Sequence, residues 1–110
     1  MSTQPLKDKT ALITGSISGI GLGIARALAA DGANIVFNGF GVMTQINVLI
    51  ASVAQEFSIK TAYSGANMSK PEQIALMMNE SEQQFGGIDI LVNNAGIQHV
   101  ANIEDFPIEK

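Results

Sequence analysis

The sequence predicts an α/β fold, a doubly wound parallel sheet with helices on both faces. Short β-prone apolar runs alternate with amphipathic stretches in the order β-α-β-α-β-α-β, which is typical of parallel strands joined by right-handed crossovers. A glycine-rich turn follows the first run, and a polar Asn-Asn pair follows the last. Together these observations predict a sheet with strand order 3-2-1-4.

The first strand and helix are indicated by a change of period. Residues 10–14 form a β-prone run that ends at a glycine, as expected of a buried strand. From Gly19 the pattern becomes helical, because apolar residues recur at every fourth position: Ile20, Ile24 and Leu28. Ala25 and Ala29 lie beside that stripe, so the helix can pack closely on a sheet, and Gly32 is its expected end.

The second and third strands and the second helix follow. Residues 34–38 have a continuous apolar centre, which is typical of a strand in a parallel sheet covered on both faces. Residues 43–57 place apolar side chains at spacings of three and four, and this predicts an amphipathic helix. Residues 60–64 are predicted as the third strand.

The third helix and the fourth strand complete the alternation. Ser69 and Glu72 match a capping box, in which a hydroxyl and a carboxylate satisfy N–H groups at a helix start, and the glycines at 86–87 end that helix. Residues 88–92 form the fourth strand, an edge strand that is apolar enough for a central one. We therefore expect residues 1–110 to be the N-terminal half of an incomplete domain, which needs a C-terminal half or forms a homo-oligomer.

The composition favours a small-molecule ligand. The net charge is −4, and only 15% of the residues are charged, where about a quarter is typical. The six Lys and Arg residues are scattered, which argues against binding to nucleic acid or an anionic membrane. Cys is absent, which excludes disulfides and Cys-ligated metal, and no stretch has the continuous apolar character of a membrane span. We expect a cytoplasmic protein without a metal site.

The glycine-rich turn at residues 14–21 predicts a dinucleotide site of the Rossmann type. Three glycines permit a tight turn and close backbone approach, so that a pyrophosphate can lie at the start of a helix, where the dipole favours anions: Gly15, Gly19 and Gly21. Ser16 and Ser18 can add hydroxyl donors to phosphate oxygens. An ordinary tight turn between strand and helix is the alternative.

Residues at the ends of the second and third strands would contact the adenosine part of a bound dinucleotide. An acidic residue after the second strand would bind ribose hydroxyls and a basic one a 2′-phosphate, but Asn38, Gly39 and Phe40 are neither. The lack of Lys and Arg there favours NAD over NADP. Asn67 and Met68 close the third strand where an adenine would lie, although a turn-forming Asn and a core Met explain them equally well.

A third candidate segment, residues 93–96, lies at the end of the fourth strand, where open α/β sheets place ligands. Its two adjacent Asn residues are also compatible with a simple turn. Gln98 and His99 follow, and for His99 a solvated loop position is the better interpretation, because no nucleophile or carboxylate evidently partners it. Tyr63 is predicted to pack in the third strand rather than to act as a general base, since no Lys follows it at four residues.

Residues 14–21 and 93–96 together resemble the two signatures of the short-chain dehydrogenase/reductase family. Residues 38–41, 94–100 and 106–107 resemble its bacterial 3-hydroxybutyrate dehydrogenase branch in particular. The resemblance spans nearly the whole chain but only the N-terminal part of the family's length. It departs from the pattern at Ile17, where a small polar residue is commoner, and at Asn67, where the family usually has Asp.

The resemblance implies a role for each matching residue. The turn would line the pyrophosphate through Ser16, Ile17, Gly19, Ile20 and Gly21. Phe40 would border the adenosine ribose, and Asn67 and Met68 would flank the adenine. Further along the chain, Asn94 would brace the strand end, and the other three residues of its segment would support the riboses: Asn93, Ala95 and Gly96. Gln98 would donate to the hydroxybutyrate carboxylate.

The resemblance also implies a chemistry that this sequence does not hold in full. The family passes hydride from C3 of the substrate to nicotinamide C4, while a Tyr base, assisted by a Lys four residues on, takes the hydroxyl proton and a Ser polarises the oxygen. None of these three can be assigned within residues 1–110, so we expect no catalytic residue and no dehydrogenase activity in the isolated chain. The alternatives are a non-catalytic nucleotide-binding or interaction module, and another reductase such as an oxoacyl reductase, in which Gln98 would lose its carboxylate partner.

Overall fold

Four parallel strands and three helices alternate in a computed structural model that describes residues 4–94. The strands are β1 (Thr10–Ile13), β2 (Asn34–Asn38), β3 (Thr61–Ser64) and β4 (Ile90–Val92). The helices are α1 (Gly19–Ala30), α2 (Met43–Phe57) and α3 (Pro71–Phe85). All seven elements are the predicted ones, with bounds that differ from the expected ones by a few residues at most.

The sheet has the order β3-β2-β1-β4, which confirms the predicted topology. Ile13 of β1 pairs with Phe37 of β2 on one side and with Val92 of β4 on the other. Phe37 in turn pairs with Tyr63 of β3. Because every pair is parallel, the loops that leave β1, β2 and β3 emerge at the same edge of the sheet.

Helices cover both faces of the sheet. On one face α1 and α2 pack on a core of eight fully buried residues: Ala11, Ile13, Ala25, Ala29, Ala33, Ile35, Phe37 and Val53. On the other face α3 contributes Met77 to a smaller cluster with Leu12, Val36 and Ala66. Ala25 and Ala29 of α1 are fully buried, as the predicted small-residue stripe requires, so this helix lies close to the strands.

β4 is an edge strand, as predicted, since within residues 4–94 it bonds only to β1. Leu91 stands in register with the buried Leu12 but is 58% exposed. Its neighbours Ile90 and Val92 pack partly against the larger core cluster. One face of β4 is therefore covered and the other is open.

The predicted capping box at the start of α3 is wrong. The residue before the helix is Lys70, and no side chain caps the first turn. The Ser69 hydroxyl donates instead to Asn67 Oδ1 at 2.7 Å, and the Ser69 N–H donates to the same atom at 2.9 Å. Pro71 takes the first helical position, for which its fixed φ suits it, so Ser69 lies one residue too early to cap.

Candidate functional site

Three loops meet at the carboxyl edge of the sheet around a cavity of about 360 Å³. We call them the β1 turn (residues 14–18), the β2 loop (residues 39–42) and the β3 loop (residues 65–70). Open α/β sheets bind their ligands at this edge. The lining comes from all three loops and the last residue of β2: Gly15, Ile17, Ser18, Asn38, Gly39, Phe40, Asn67, Met68 and Ser69.

The structure brings six of the predicted site residues together in this lining: Gly15, Ile17, Ser18, Phe40, Asn67 and Met68. Ser16 and Asn93 are near the site without lining the cavity. Three more belong to the start of α1 and are also outside the lining: Gly19, Ile20 and Gly21. The other predicted residues lie outside the described residues, together with His99: Ala95, Gly96 and Gln98.

The β1 turn is packed directly against α1. Gly15 and Gly19 have φ values of 59° and 60°, a region that favours glycine. A Cβ on Gly21 would lie 2.1 Å from the carbonyl oxygen of Gly15 and 2.6 Å from Asn94 Nδ2, so no side chain fits there. Gly21 was expected to line a pyrophosphate, but it is buried under the turn and lets the helix approach it.

The start of α1 carries no neutralising acidic group. Ser18 precedes the helix, its side chain makes no capping bond, and the first turn holds no acidic residue. Ser18, Gly19 and Ile20 are exposed, and the Ile20 side chain is 61% exposed. The positive end of the helix dipole is thus open on the side of the cavity, where Ser18 lines it.

Ser16 is not the free hydroxyl donor that the sequence suggested. It is fully buried, and its N–H donates to the main-chain oxygen of Asn38 at 2.7 Å. Its hydroxyl accepts from the Asn38 N–H at 3.0 Å and donates to the Asn38 oxygen at 3.4 Å. The side chain therefore ties the β1 turn to the end of β2, because a buried hydroxyl must find its partners inside the protein.

Asn38 is a functional candidate that sequence reasoning missed. Its side chain is buried, and Oδ1 accepts the Gly15 N–H at 3.2 Å. Nδ2 donates to the carbonyl oxygens of Ser64 and Ala66, each at 3.1 Å. The signal was available, since an amide that ends a continuously apolar, buried strand must be hydrogen-bonded on both of its polar atoms.

The β2 loop presents an aromatic ring to the cavity. Phe40 is 69% exposed and also lines an adjoining cavity of about 330 Å³. Ile17 packs on the loop from the β1 turn, since a Cβ on Gly39 would be 2.8 Å from Ile17 Cγ1. The Tyr63 hydroxyl donates to the Gly39 carbonyl oxygen. Tyr63 packs partly against the core, which confirms its predicted packing role and adds a contact that the sequence did not suggest.

The β3 loop supplies the wall opposite the β1 turn. Asn67 Oδ1 accepts hydrogen bonds from the Ser69 N–H and hydroxyl, so Nδ2 is the remaining polar group of that side chain. The Asn67 main-chain N–H donates to Gln73 Oε1 at 2.7 Å. Met68 packs partly against the smaller core cluster and also lines the cavity. Asn67 forms a turn and Met68 joins the core, as one of the two interpretations expected, and both also line the cavity. Their contact with an adenine stays a prediction.

The end of β4 is bonded to the β1 turn. Asn94 is fully buried and its Nδ2 donates to the Gly15 carbonyl oxygen at 3.0 Å, which confirms its predicted bracing role. Within residues 4–94 no hydrogen-bond partner reaches Asn94 Oδ1. Asn93 is exposed, and its Oδ1 accepts from the Thr14 hydroxyl at 3.3 Å.

The chemistry of the cavity is that of a binding site. None of its nine lining residues is charged, and they offer main-chain groups, amides, hydroxyls and apolar surfaces. The part of the chain that the structure describes holds no group of His, Asp or Glu arranged to bind a metal ion. In that part no helix is long and apolar enough to cross a membrane.

The family model for short chain dehydrogenase matches residues 9–110 of the sequence. The chain belongs to the short chain dehydrogenase family. The resemblance of its two motifs to that family is thereby confirmed. The Rossmann-type strand order is consistent with this membership. The chain spans about 40% of the length of the curated relatives it matches.

Among curated family members, the chain is 60% identical to D-beta-hydroxybutyrate dehydrogenase from Cupriavidus necator over 105 residues, which are 96% of this chain and 40% of the relative. It is 56% identical over 102 residues to the protein of the same name from Rhizobium meliloti, covering 93% of this chain and 40% of the relative. A 3-oxoacyl-(acyl-carrier-protein) reductase from Staphylococcus epidermidis is 36% identical over 90 residues, 82% of this chain and 36% of the relative.

Solved structures superpose well on this short chain dehydrogenase chain. L-sorbose reductase from Gluconobacter frateurii, solved as a complex with NADPH and L-sorbose, matches with a TM-score of 0.78 and 36% identity. The match covers 86% of this chain and 36% of that one. This agreement supports the doubly wound fold independently of the sequence motifs.

Proposed function

We propose that this chain forms the nucleotide-binding part of a dehydrogenase that oxidises D-3-hydroxybutyrate. The observation that carries the proposal is the cavity in which the open end of α1 meets Phe40, Asn67 and Met68. An anion-favouring helix start beside an aromatic and apolar wall suits a ligand with phosphates at one end and a purine at the other. The 60% and 56% identities to two D-beta-hydroxybutyrate dehydrogenases support the substrate.

A nicotinamide nucleotide fits the residues present. Gly15, Ser18 and the first N–H groups of α1 would hold the pyrophosphate, with Ile17 beside it and Gly19 and Ile20 at the helix start. Phe40 would border the adenosine ribose, and Asn67 and Met68 the adenine. Three residues after β4 would support the riboses: Asn93, Ala95 and Gly96. When bound, such a nucleotide accepts a hydride from the substrate, and Gln98 would hold the substrate carboxylate.

The preferred nucleotide is proposed to be NAD rather than NADP. A 2′-phosphate carries charge that a protein stabilises with Arg or Lys. Neither residue type occurs among the residues that line the two adjoining cavities around Phe40. Ile17 also packs its side chain against the β2 loop, so apolar atoms occupy part of that region.

We infer that the chain alone does not turn over substrate. Tyr63 is the only tyrosine in the sequence, and Asn67 stands where a Tyr base would need its Lys four residues on. The Tyr63 hydroxyl is moreover bonded to the Gly39 carbonyl oxygen in the wall of the cavity. The proton transfer of the reaction would thus need a Tyr base and a Lys that residues 1–110 do not supply.

The test is a fluorescence titration of the purified chain with NADH and with NADPH, alongside an assay with 3-hydroxybutyrate and NAD. We expect one NADH to bind per folded chain and NADPH to bind at least about tenfold more weakly, or ~1.4 kcal/mol. Failure of the folded chain to bind NADH would contradict the proposal. Equal affinity for NADPH would contradict only the choice of NAD, and turnover would contradict the inferred inactivity.

A non-catalytic module that associates through β4 is the second candidate, favoured by the exposed Leu91 on that edge strand. A chain that binds NADH and also forms a stable oligomer of defined size would support it. A third candidate, an oxoacyl reductase, is less well supported, because the relative of that class is 36% identical against 60% for the hydroxybutyrate enzyme. The cytoplasmic location and the homo-oligomeric state stay predictions.

A further inference from the structure

Asn38 connects all three loops that form the cavity. Its Oδ1 accepts the Gly15 N–H of the β1 turn at 3.2 Å, and its Nδ2 donates to the carbonyl oxygen of Ala66 in the β3 loop at 3.1 Å. The same nitrogen donates to Ser64 O at the end of β3, also at 3.1 Å. The main chain of Asn38 adds the two-way pairing with Ser16. One buried side chain thus bridges the phosphate side and the purine side of the site.

The connection requires the chemistry of an amide. The side-chain oxygen accepts from one side of β2. The nitrogen donates to two carbonyl oxygens on the other side and also lies 3.8 Å from Met77 Sδ. A carboxylate of the same shape keeps the bond from Gly15 but places an oxygen against the carbonyl oxygens of Ser64 and Ala66. Because the position is buried, water cannot replace the lost donors without rearrangement.

Tyr63 makes a second, parallel connection one residue further on. It pairs with Phe37 in the sheet, and its hydroxyl donates to the Gly39 carbonyl oxygen at the start of the β2 loop. This bond fixes the loop that carries Phe40 relative to β3. The aromatic ring packs partly against the core, so the hydroxyl is anchored by a rigid support.

We propose that Asn38, assisted by Tyr63, is a positioning residue that sets the spacing between the phosphate-binding turn and the purine-binding wall. The inference rests on the proposed function. A ligand that touches both sides, such as ADP, gains from its second contact only when the two subsites are held at the spacing that the ligand spans. A ligand that touches one side, such as adenosine, does not depend on that spacing.

This dependence separates positioning from simple stability. Loss of fold stability lowers the binding of ADP and adenosine by the same factor, because it reduces the fraction of folded chain. Loss of spacing weakens ADP selectively. The ratio of the two affinities is therefore the readout, measured by NMR titration of the chain with ADP and with adenosine at a temperature where circular dichroism shows each variant to be folded.

The test variant is Asn38→Asp, and its matched control is Asn34→Asp at the other end of the same strand. Asn34 uses its Oδ1 to accept the Lys60 N–H at 2.9 Å, a bond that an aspartate retains. We expect Asn38→Asp to weaken ADP at least about tenfold, as the loss of buried hydrogen bonds implies, and adenosine less than about twofold. The control is expected to leave both affinities within about twofold of the parent chain.

A second variant, Tyr63→Phe, keeps the aromatic packing, removes only the hydroxyl and adds no charge. It therefore decides the matter if Asn38→Asp does not fold, and it separates lost spacing from repulsion between a new carboxylate and the diphosphate. We expect it to weaken ADP about threefold with adenosine unchanged. Equal losses for both ligands, or no loss for either, would overturn the proposal in whichever variant folds. If the parent chain binds neither ADP nor NADH, it is the proposed function that fails.

Discussion

At the scale of single residues, side chains bonded to main-chain groups hold the carboxyl edge of the sheet together. Ser16, Asn38 and Asn94 are buried, and each bonds to the main chain of another segment. Buried polar groups must be paired, so these three are committed to structure. What remains for a ligand is the open helix start beside Ser18, the apolar surfaces of Phe40 and Met68, and the Asn67 Nδ2 group.

Gly21→Ala is expected to destabilise the fold, because the new Cβ would lie 2.1 Å from the main-chain oxygen of Gly15. Main chain cannot move aside as a flexible side chain can, so the free energy of unfolding should fall by about 1–3 kcal/mol. Gly23→Ala is the control in the same helix, since its Cβ would meet nothing within 4 Å. That change should stabilise the helix by roughly 0.5–1 kcal/mol. Equal urea midpoints for the two variants would contradict this account.

Residue roles were predictable to the extent that they depend on local pattern. The turn glycines and the cavity positions of Phe40 and Met68 follow from where each strand ends. The inward orientation of Ser16 does not, because its partner Asn38 is 22 residues away in the sequence. A serine in a glycine-rich turn is equally compatible with facing a phosphate or facing the sheet.

At the scale of elements, the sequence predicted all seven helices and strands of residues 4–94. The signals were short-range: a change of apolar period, a continuous apolar run, or a glycine such as Gly32 at a helix end. The start of α3 was mispredicted because Ser69 and Glu72 have the spacing of a capping box, while Pro71 shifts the helix start by one residue. Spacing alone does not reveal which residue adopts the cap conformation.

Ser69→Ala tests this correction at the level of the element. In a capping box the substitution would cost about 1 kcal/mol. The Ser69 hydroxyl is exposed and bonds only to Asn67 Oδ1 among the described residues, so we expect the unfolding free energy to change by less than about 0.5 kcal/mol. Asn67→Ala serves as the comparison, because it removes the acceptor that closes the turn. If urea denaturation showed that Ser69→Ala lowers the unfolding free energy by about 1 kcal/mol, the result would support the capping box and contradict this correction.

At the scale of the whole molecule, the two edge strands of the sheet differ in what covers them. β3 lies at one edge in contact with α2, whereas β4 lies at the other edge with Leu91 exposed. The chain spans about 40% of the length of its hydroxybutyrate dehydrogenase relatives. An apolar edge strand favours pairing with another strand, either from further sequence or from a second copy.

The second candidate function requires the chain to associate in solution through β4, and Leu91→Lys should then weaken that association. A lysine on an edge strand opposes pairing, because it must lose its hydration when a second strand covers it. Leu91 is 58% exposed, so the substitution should change the unfolding free energy by less than about 1 kcal/mol. Val48→Lys is the control, since Val48 is 70% exposed on α2, away from the edge. Sedimentation velocity should show a smaller mass for Leu91→Lys than for the parent and the control. A parent chain that is monomeric, or an equal shift in both variants, would rule out β4 as the contact.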